Sequence, residues 1–474
     1  MIKTHISNRI LANLPFEATD GQLHLANSLG EFIGSTIDNN IFLIKGYAGT
    51  GKTSMVSALV KALDEFKIQS MLLAPTGRAA KVLSTYSGKN AYTIHKKIYR
   101  QQATTDGMSR FSLDRNLHKD TFFLVDEASM LANNGGDASI FGSGRVLDDL
   151  YQYVCMGNNC KLILIGDTAQ LPPIGMEISP ALDASELSMY GVDVHEVELT
   201  EVVRQDSQSG ILYNATALRE LIAVQYFFGE YFPIELDGFP DVKRISGGEL
   251  IDLVSACYDK YGEQGTMVVT RSNKRANKFN QGIRATVLYK EEQITTGDLI
   301  MVVKNNYFWM ADDEKVDFIA NGDTAEIVRI GKREELYGFH FADVTLRFAD
   351  YDGLEVDCKI LLDALDIETA SLSYEDNLRL FHAVAEDYAD IKSKKKRWER
   401  IKANPHFNAL QVKFAYAVTC HKAQGGQWDA VFIDHGYLLE EMLNVEFLRW
   451  LYTAFTRSVK ELYLVNFNKE FFGE

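Results

Sequence analysis

The sequence predicts an α/β protein made of two parallel-sheet lobes, with a hairpin inserted in the first lobe and a small β-barrel in the second. Three observations carry this expectation. An apolar run, Ile41 to Ile44, leads through a glycine-rich loop into a helical stretch from Met55 to Leu63. Further buried-strand patterns at 71–75, 121–125 and 161–165 each run into polar or acidic residues, the arrangement of an open α/β sheet with its chemistry at the strand carboxyl ends. Between 295 and 362 the texture changes to short alternating strands broken by turn residues, and buried-strand patterns resume from Phe414.

The loop after the first strand is Gly46-Tyr47-Ala48-Gly49-Thr50-Gly51-Lys52-Thr53. Strand, glycine-rich loop and helix together form a phosphate-binding P-loop. Its glycines let backbone N–H groups curl around phosphate oxygens, and the helix N-terminus adds partial positive charge. Lys52 is expected on the β- and γ-phosphates and the Thr53 hydroxyl on Mg²⁺. Upstream, residues 18–22, ending in Gln22, open a stretch with helical spacing at Leu23, Leu25, Leu29, Phe32 and Ile33. Its amide suits either a plain surface position or the edge of an adenine.

The second strand runs into Thr76-Gly77-Arg78-Ala79-Ala80-Lys81, a hydroxyl and small residues at a helix start. That is either a phosphate contact, with Arg78 adding charge, or a routine strand-to-helix connection. Residues 89–119 are locally basic and interleave Tyr92, His95, Tyr99 and Phe111, with 104–108 as a hairpin tip. Single-stranded nucleic acid suits such a surface, and a solvated basic loop is the competing reading. The next strand ends in Asp126-Glu127. Asp126 can hold the water shell of Mg²⁺, while Glu127 orients and deprotonates an attacking water. After the strand at 161–165, Gln170 can hydrogen-bond both a γ-phosphate and that water.

The bulk properties bound these readings. The 474 residues suggest about three domains. No apolar run approaches the ~18 residues that span a bilayer, and residues 1–7 lack a signal-peptide core. Five scattered cysteines with no C-x-x-C pair fit reduced thiols and a cytoplasmic protein. A net charge of −16, from 49 basic and 65 acidic residues, argues against binding nucleic acid through overall charge. Screening over ~8 Å leaves room for a local cationic groove.

The ordered set Gln22, GYAGTGKT, APTGRAAK, VDEASM and GDTAQLPP resembles motifs Q, I, Ia, II and III of superfamily 1 helicases. LTEVVRQ at 199–205, YAVTCHKAQG at 416–425 and LYTAFTR at 451–457 are similar to motifs IV, V and VI. The wording is nearest the RecD/Dda branch, whose members move 5′ to 3′ on single-stranded DNA. The resemblance implies two RecA-like lobes that close on ATP and Mg²⁺. It implies adenine recognition by Gln22 and γ-phosphate contacts from Gln170, Arg204 and Arg457, with Gln424 and Gly425 on the nucleotide side. Thr76, Thr419, His421 and Lys422 fall on the DNA side. His421 is open to base stacking, to linking the DNA with Gln424, or to a core role. Gly77 departs from relatives that present a larger side chain toward DNA. The implied partners are single-stranded DNA and duplex junctions, with single-strand-binding, repair or replication proteins as further candidates. Action as a monomer is expected.

The implied lobes are 1A (residues 1–200, with hairpin 1B at about 89–119) and 2A (201–290 plus 410–474). The insertion 2B, 291–409, is an SH3-like barrel followed by helices at 374–404 that carry a lysine-rich run. Asn306 and Tyr307, on the first loop of that barrel, are candidate DNA contacts. A GTPase switch is disfavoured because Asn273-Lys274-Arg275-Ala276 lacks the Asp of a guanine-reading motif. An RNA helicase and an ATP-gated single-strand-binding protein remain the alternatives.

Overall fold

The computed structural model describes residues 2–36, 40–103, 109–135, 142–202, 209–224, 229–310, 318–351 and 353–473. The first lobe contains β1 (Ile41–Gly46), β2 (Gln69–Ala74), β3 (Ala91–Thr93), the hairpin strands β4 (Tyr99–Ala103) and β5 (Ser109–Leu113), then β6 (Thr121–Val125), β7 (Lys161–Gly166) and β8 (Val194–Leu199). Six of these form a parallel sheet in the order β3-β2-β6-β7-β1-β8, and β4 pairs antiparallel with β5. Strands β6 and β7 are buried along their whole length, as expected of a parallel sheet covered by helices on both faces. The order β6-β7-β1 sets the carboxyl ends of three strands side by side, so the acidic pair, Asp167 and the glycine loop share one edge. The hairpin tip expected at 104–108 lies outside the described residues.

One polar side chain inside this lobe has a clear structural task. Lys161 is 2% exposed, and its Nζ donates to the carbonyls of Phe32 and Ser35 at 2.9 and 2.7 Å. A buried ammonium is tolerable there because it donates to two carbonyls at and just past the end of helix Asp20–Ile33.

The second lobe contains β9 (Val242–Ile245), β10 (Thr266–Thr270), barrel strands β11 (Leu299–Val302), β12 (Thr324–Leu336), β13 (Phe339–Phe348), β14 (Leu354–Leu361) and β15 (Leu410–Phe414), then β16 (Ala417–Thr419), β17 (Trp428–Asp434) and β18 (Ser458–Val465). Its parallel sheet runs β16-β10-β17-β18-β9, and β11 to β15 close into a barrel. The closing strand β15 lies in the stretch, 410–474, expected to return the chain to the second lobe. It pairs antiparallel with β11 and parallel with β14. Asn280, 2% exposed, then fixes the step from β15 to β16. Its Nδ2 donates to the carbonyls of Phe414 and Ala417, and its Oδ1 accepts from the N–H groups of Tyr416 and Ala417. Helices Tyr374–Glu386 and Lys394–Lys402 fall within the expected helical stretch and bury Leu380, Val384 and Ile401 against the barrel's Phe339 and Phe341.

Candidate active site between the lobes

Local backbone chemistry shapes the phosphate loop first. Gly49 and Gly51 have φ of 80° and 81°, a left-handed region that costs a side-chain-bearing residue energy. A Cβ on Gly46 would stand 3.1 Å from Leu199 Cβ, so the loop passes close against β8. Lys52 Nζ donates to the carbonyls of Gly46 and Tyr47 at 2.6 and 2.8 Å and lies 3.8 Å from Asp167 Oδ2. The ammonium is thereby held over the loop.

Asp126 and Glu127 follow β6. The Glu127 N–H donates to Asp126 Oδ1 at 2.9 Å, and Glu127 itself sits at φ 54°. A non-glycine residue in that region stores of order 1–3 kcal/mol of backbone strain, which accumulates at functional positions. Burial, and then the neighbouring Glu127 charge, push the Asp126 carboxyl above the usual carboxylate range, although Lys52 and the Glu127 N–H oppose this. Gln170 is 6% exposed and its Oε1 has no hydrogen-bond partner. A cleft of about 500 Å³ is lined by Lys52, Thr53, Asp126, Glu127 and Gln170 from the first lobe and Arg457 from the second.

Arg457 is 4% exposed and is held by its own lobe. Its Nε donates to Thr453 O, Nη1 to Gly426 O and Nη2 to Thr456 Oγ1, at 3.0, 3.2 and 3.0 Å. These bonds use three of the five donors of a guanidinium. Arg204, its expected counterpart, lies outside the described residues.

Several expected contacts are occupied differently. Gln22, expected at an adenine edge, is fully buried. Its Oε1 accepts from Thr19 N–H in a capping box, and its Nε2 donates to Thr50 O at 3.1 Å. In this structure it braces the phosphate loop. Arg78, expected near DNA, stacks over Trp428 of the second lobe at 4.0 Å and donates to Gln427 O at 3.3 Å. Asn306 spends its amide inside the barrel loop, donating to Asn408 O and accepting from Phe308 N–H. The Tyr307 ring lies 4.3 Å from that of Phe111, joining barrel to hairpin. Each of these side chains meets a partner from a distant part of the chain, which the sequence alone does not bring near.

Gln424, expected on the nucleotide, donates to Leu171 O at 2.7 Å across the lobe boundary. Gly425, with φ 73°, packs so close to the first lobe that a Cβ would meet Ala79 Cβ at 2.9 Å. The Thr76 hydroxyl accepts from Ala79 N–H as a helix cap, leaving its proton to donate. His95 is half-buried 5.6 Å from the Tyr99 ring, and burial lowers its pKa to about 4, so it is neutral near pH 7. Thr419, His421 and Lys422 cluster at the carboxyl end of β16. The Thr419 hydroxyl makes no cap bond, and burial lowers the pKa of both His421 and Lys422.

Sequence reasoning passed over four residues that meet the loop or its flank. Tyr452, Thr453 and Arg449 share one face of helix Val445–Phe455 by their three- and four-residue spacing, a polar stripe on an apolar helix. Tyr452 accepts from Ala48 N–H, the Thr453 hydroxyl accepts from Leu171 N–H, and Arg449 donates to Thr168 O. The Arg219 guanidinium lies 4.8 Å from the Tyr47 ring, and its Nη1 is buried without a partner. No sequence signal distinguishes Arg219 from any other helical arginine.

A P-loop with an adjacent acidic strand end, facing an arginine from a second parallel-sheet lobe, defines a two-lobed nucleotide hydrolase. Comparison narrows the class. A family model described as an AAA domain matches residues 31–221, and one described as a UvrD-like helicase C-terminal domain matches 414–465. The ATP-dependent DNA helicase dda of Enterobacteria phage T4 is 25% identical over 419 residues, spanning 82% of this chain and 86% of its own length. The ATP-dependent RecD2 DNA helicase of Deinococcus radiodurans is 27% identical over 431 residues, covering 89% of this chain but 46% of that protein. A solved Pif1 helicase from Bacteroides, in complex with ADP-AlF3 and ssDNA, aligns over 96% of this chain and 94% of its own at 15% identity and a TM-score of 0.49. The chain is related to superfamily 1 helicases of the RecD and Dda type and carries the P-loop of an ATP-hydrolysing enzyme.

Proposed function

We propose that the chain is a Mg-ATP-dependent DNA helicase that moves 5′ to 3′ along single-stranded DNA and separates duplex at junctions. The observation that carries this is the shared cleft, in which Lys52, Glu127 and Gln170 of one lobe face Arg457 of the other. A triphosphate bound there would touch both lobes, so its cleavage would change the force between them. The strand polarity rests on the RecD/Dda resemblance.

In this reading the N–H groups of Gly49, Gly51, Lys52 and Thr53 and the Lys52 ammonium bind the phosphates, with Gln22 bracing the loop from behind. Glu127 takes the proton of the attacking water, and the unpartnered Oε1 of Gln170 accepts its second hydrogen bond. Arg457, together with Arg204 as the motif resemblance implies, stabilises charge on the transferring phosphoryl oxygens. The Thr53 hydroxyl and Asp126 are hard oxygen donors suited to Mg²⁺, and no all-protein cluster of metal ligands occurs among the described residues. The desolvated Asp126, with Glu127 raising its pKa, fits a place completed by a cation. Mg²⁺ would supply charge neutralisation on the phosphates. On the DNA side, the hydroxyls of Thr76 and Thr419 and the ammonium of Lys422 hold backbone phosphates without reading sequence, with His421 between them and Gln424.

We divide the lobes as 1–200, 201–290 with 415–474, and an insertion at 291–414 that includes the closing strand β15. No helix among the described residues is long and apolar enough to cross a membrane, and the five cysteines are unpaired, which suits a reducing compartment such as the cytoplasm. ATP hydrolysis measured with and without single-stranded DNA, and unwinding of forks with 5′ or 3′ tails, test the proposal. DNA-stimulated hydrolysis and preference for the 5′ tail are expected. Stimulation by RNA alone would favour the RNA-helicase reading, and binding without unwinding would favour an ATP-gated scaffold.

A further inference from the structure

Segment 167–171 of the first lobe is bracketed by polar contacts from the second lobe at Asp167, Thr168 and Leu171, and the contact at Asp167 is made by the buried Tyr452. Its residue is 1% exposed, as is Asp167. The hydroxyl accepts from Ala48 N–H at 2.8 Å and donates to Asp167 Oδ2 at 2.7 Å. Burial and the Asp167 charge raise its pKa well above that of an ordinary phenol, so the proton stays on the oxygen and the donor direction is fixed. Asp167 Oδ1 accepts from Ala169 N–H, while Oδ2 lies 3.8 Å from Lys52 Nζ. One hydroxyl from the second lobe thus touches both the phosphate loop and the carboxylate beside the phosphate-binding lysine.

We propose that Tyr452 is a positioning residue that carries the state of the phosphate site to the second lobe. A phosphate at Lys52 competes with Asp167 for the same ammonium. As that attraction changes, the charge on Asp167 is balanced more or less by the Tyr452 hydroxyl and by Arg449 nearby. The segment that responds also carries Gln170. Its next residue, Leu171, is held at both backbone atoms by the second lobe, N–H to Thr453 Oγ1 and carbonyl to Gln424 Nε2. Gln424 adjoins the Thr419–Lys422 turn, so Tyr452 and Gln424 grip opposite ends of one short segment. The coupling to DNA rests on the helicase reading above.

The test is Tyr452→Phe in the full chain. The ring and its packing remain, while Ala48 N–H and Asp167 Oδ2 each lose a partner. We expect the ratio of kcat with single-stranded DNA to kcat without it to fall by about 10-fold or more, a change of about 1.4 kcal/mol in barrier difference. The dissociation constant of a fluorescent ATP analogue should change by less than about 3-fold, and KM for ATP should move less than kcat. A parent protein that DNA does not stimulate would count against the helicase reading itself. A stimulated parent with an equally stimulated variant overturns the role given to Tyr452, as does loss of analogue binding together with all hydrolysis. If the variant does not fold, Thr453→Ala removes the adjacent interlobe bond without touching the loop. The same fall in stimulation then supports the proposal, and unchanged stimulation overturns it.

Discussion

Arg78 of the first lobe and Trp428 of the second form a stacked pair, with the guanidinium carbon 4.0 Å from the ring centre. A cation over an indole contributes roughly 0.5–2 kcal/mol, depending on how dry the contact is. Arg78→Ala should lower the thermal midpoint by a few degrees through weaker lobe docking, at about 1 kcal/mol. It should leave the salt dependence of single-strand binding at the parent slope, since removing a cation that sits on a phosphate would reduce that slope by about 0.7. A reduced slope would return Arg78 to the DNA side.

The phosphate loop and its acidic neighbour separate binding from turnover. Lys52→Ala should abolish hydrolysis and weaken nucleotide binding together. Glu127→Gln keeps the size of the side chain and should retain ATP-analogue binding while kcat falls by about 10²- to 10⁴-fold, the usual scale of a general base. Equal loss of binding and turnover in the second variant would remove Glu127 from that role.

Gly77 has little room for a side chain. A Cβ there would lie 2.5 Å from Asp323 Oδ1 on the barrel, whose carboxylate also accepts from Tyr351 Oη at 2.6 Å. Gly77→Val should therefore destabilise the chain by about 1–3 kcal/mol, the cost of overpacking, read as a lower denaturation midpoint. Where relatives present a larger side chain toward DNA, the glycine here makes room for the barrel.

His95 gives stability a pH dependence. Burial lowers its pKa from 6.5 to about 4, with Asp149 opposing weakly. Between those values the unfolded chain binds a proton that the folded chain does not. This contribution is complete above pH 6.5 and is lost as pH falls toward 4. His95→Gln should flatten the fall in unfolding free energy, read from urea titrations across that window, by on the order of 2 kcal/mol. An unchanged profile would show that other groups set the acid limit.

Much of the architecture was legible because local chemistry dictated it. A P-loop needs its glycines and lysine in consecutive positions, and buried parallel strands such as β6 and β7 read as unbroken apolar runs. The barrel was legible as a texture, but its closing strand was not. The partner of β14 lies across a helical insertion, and no local pattern announces that Leu410 will meet Ile360. The same limit explains Arg78, Asn306 and Tyr307. Their types suited nucleic acid, and tertiary contacts with Trp428, Asn408 and Phe111 claimed them instead. Tyr452 was readable in principle, since a tyrosine and a threonine stand on an otherwise apolar helix stripe, yet only the docked lobes reveal what that stripe meets.

Between β15, which seals the barrel, and β16, which leads to Thr419 and Lys422, there are only Ala415 and Tyr416. Asn280 splints this joint, and the Tyr416 hydroxyl is fastened to Asp298 and to the Leu299 N–H at the barrel's entry. So short and so firmly pinned a joint leaves no slack. A tilt of the barrel must swing the Thr419–Lys422 turn with it, as a handle turns its key. A load on the barrel's outer face would therefore be felt at that turn without passing through the nucleotide.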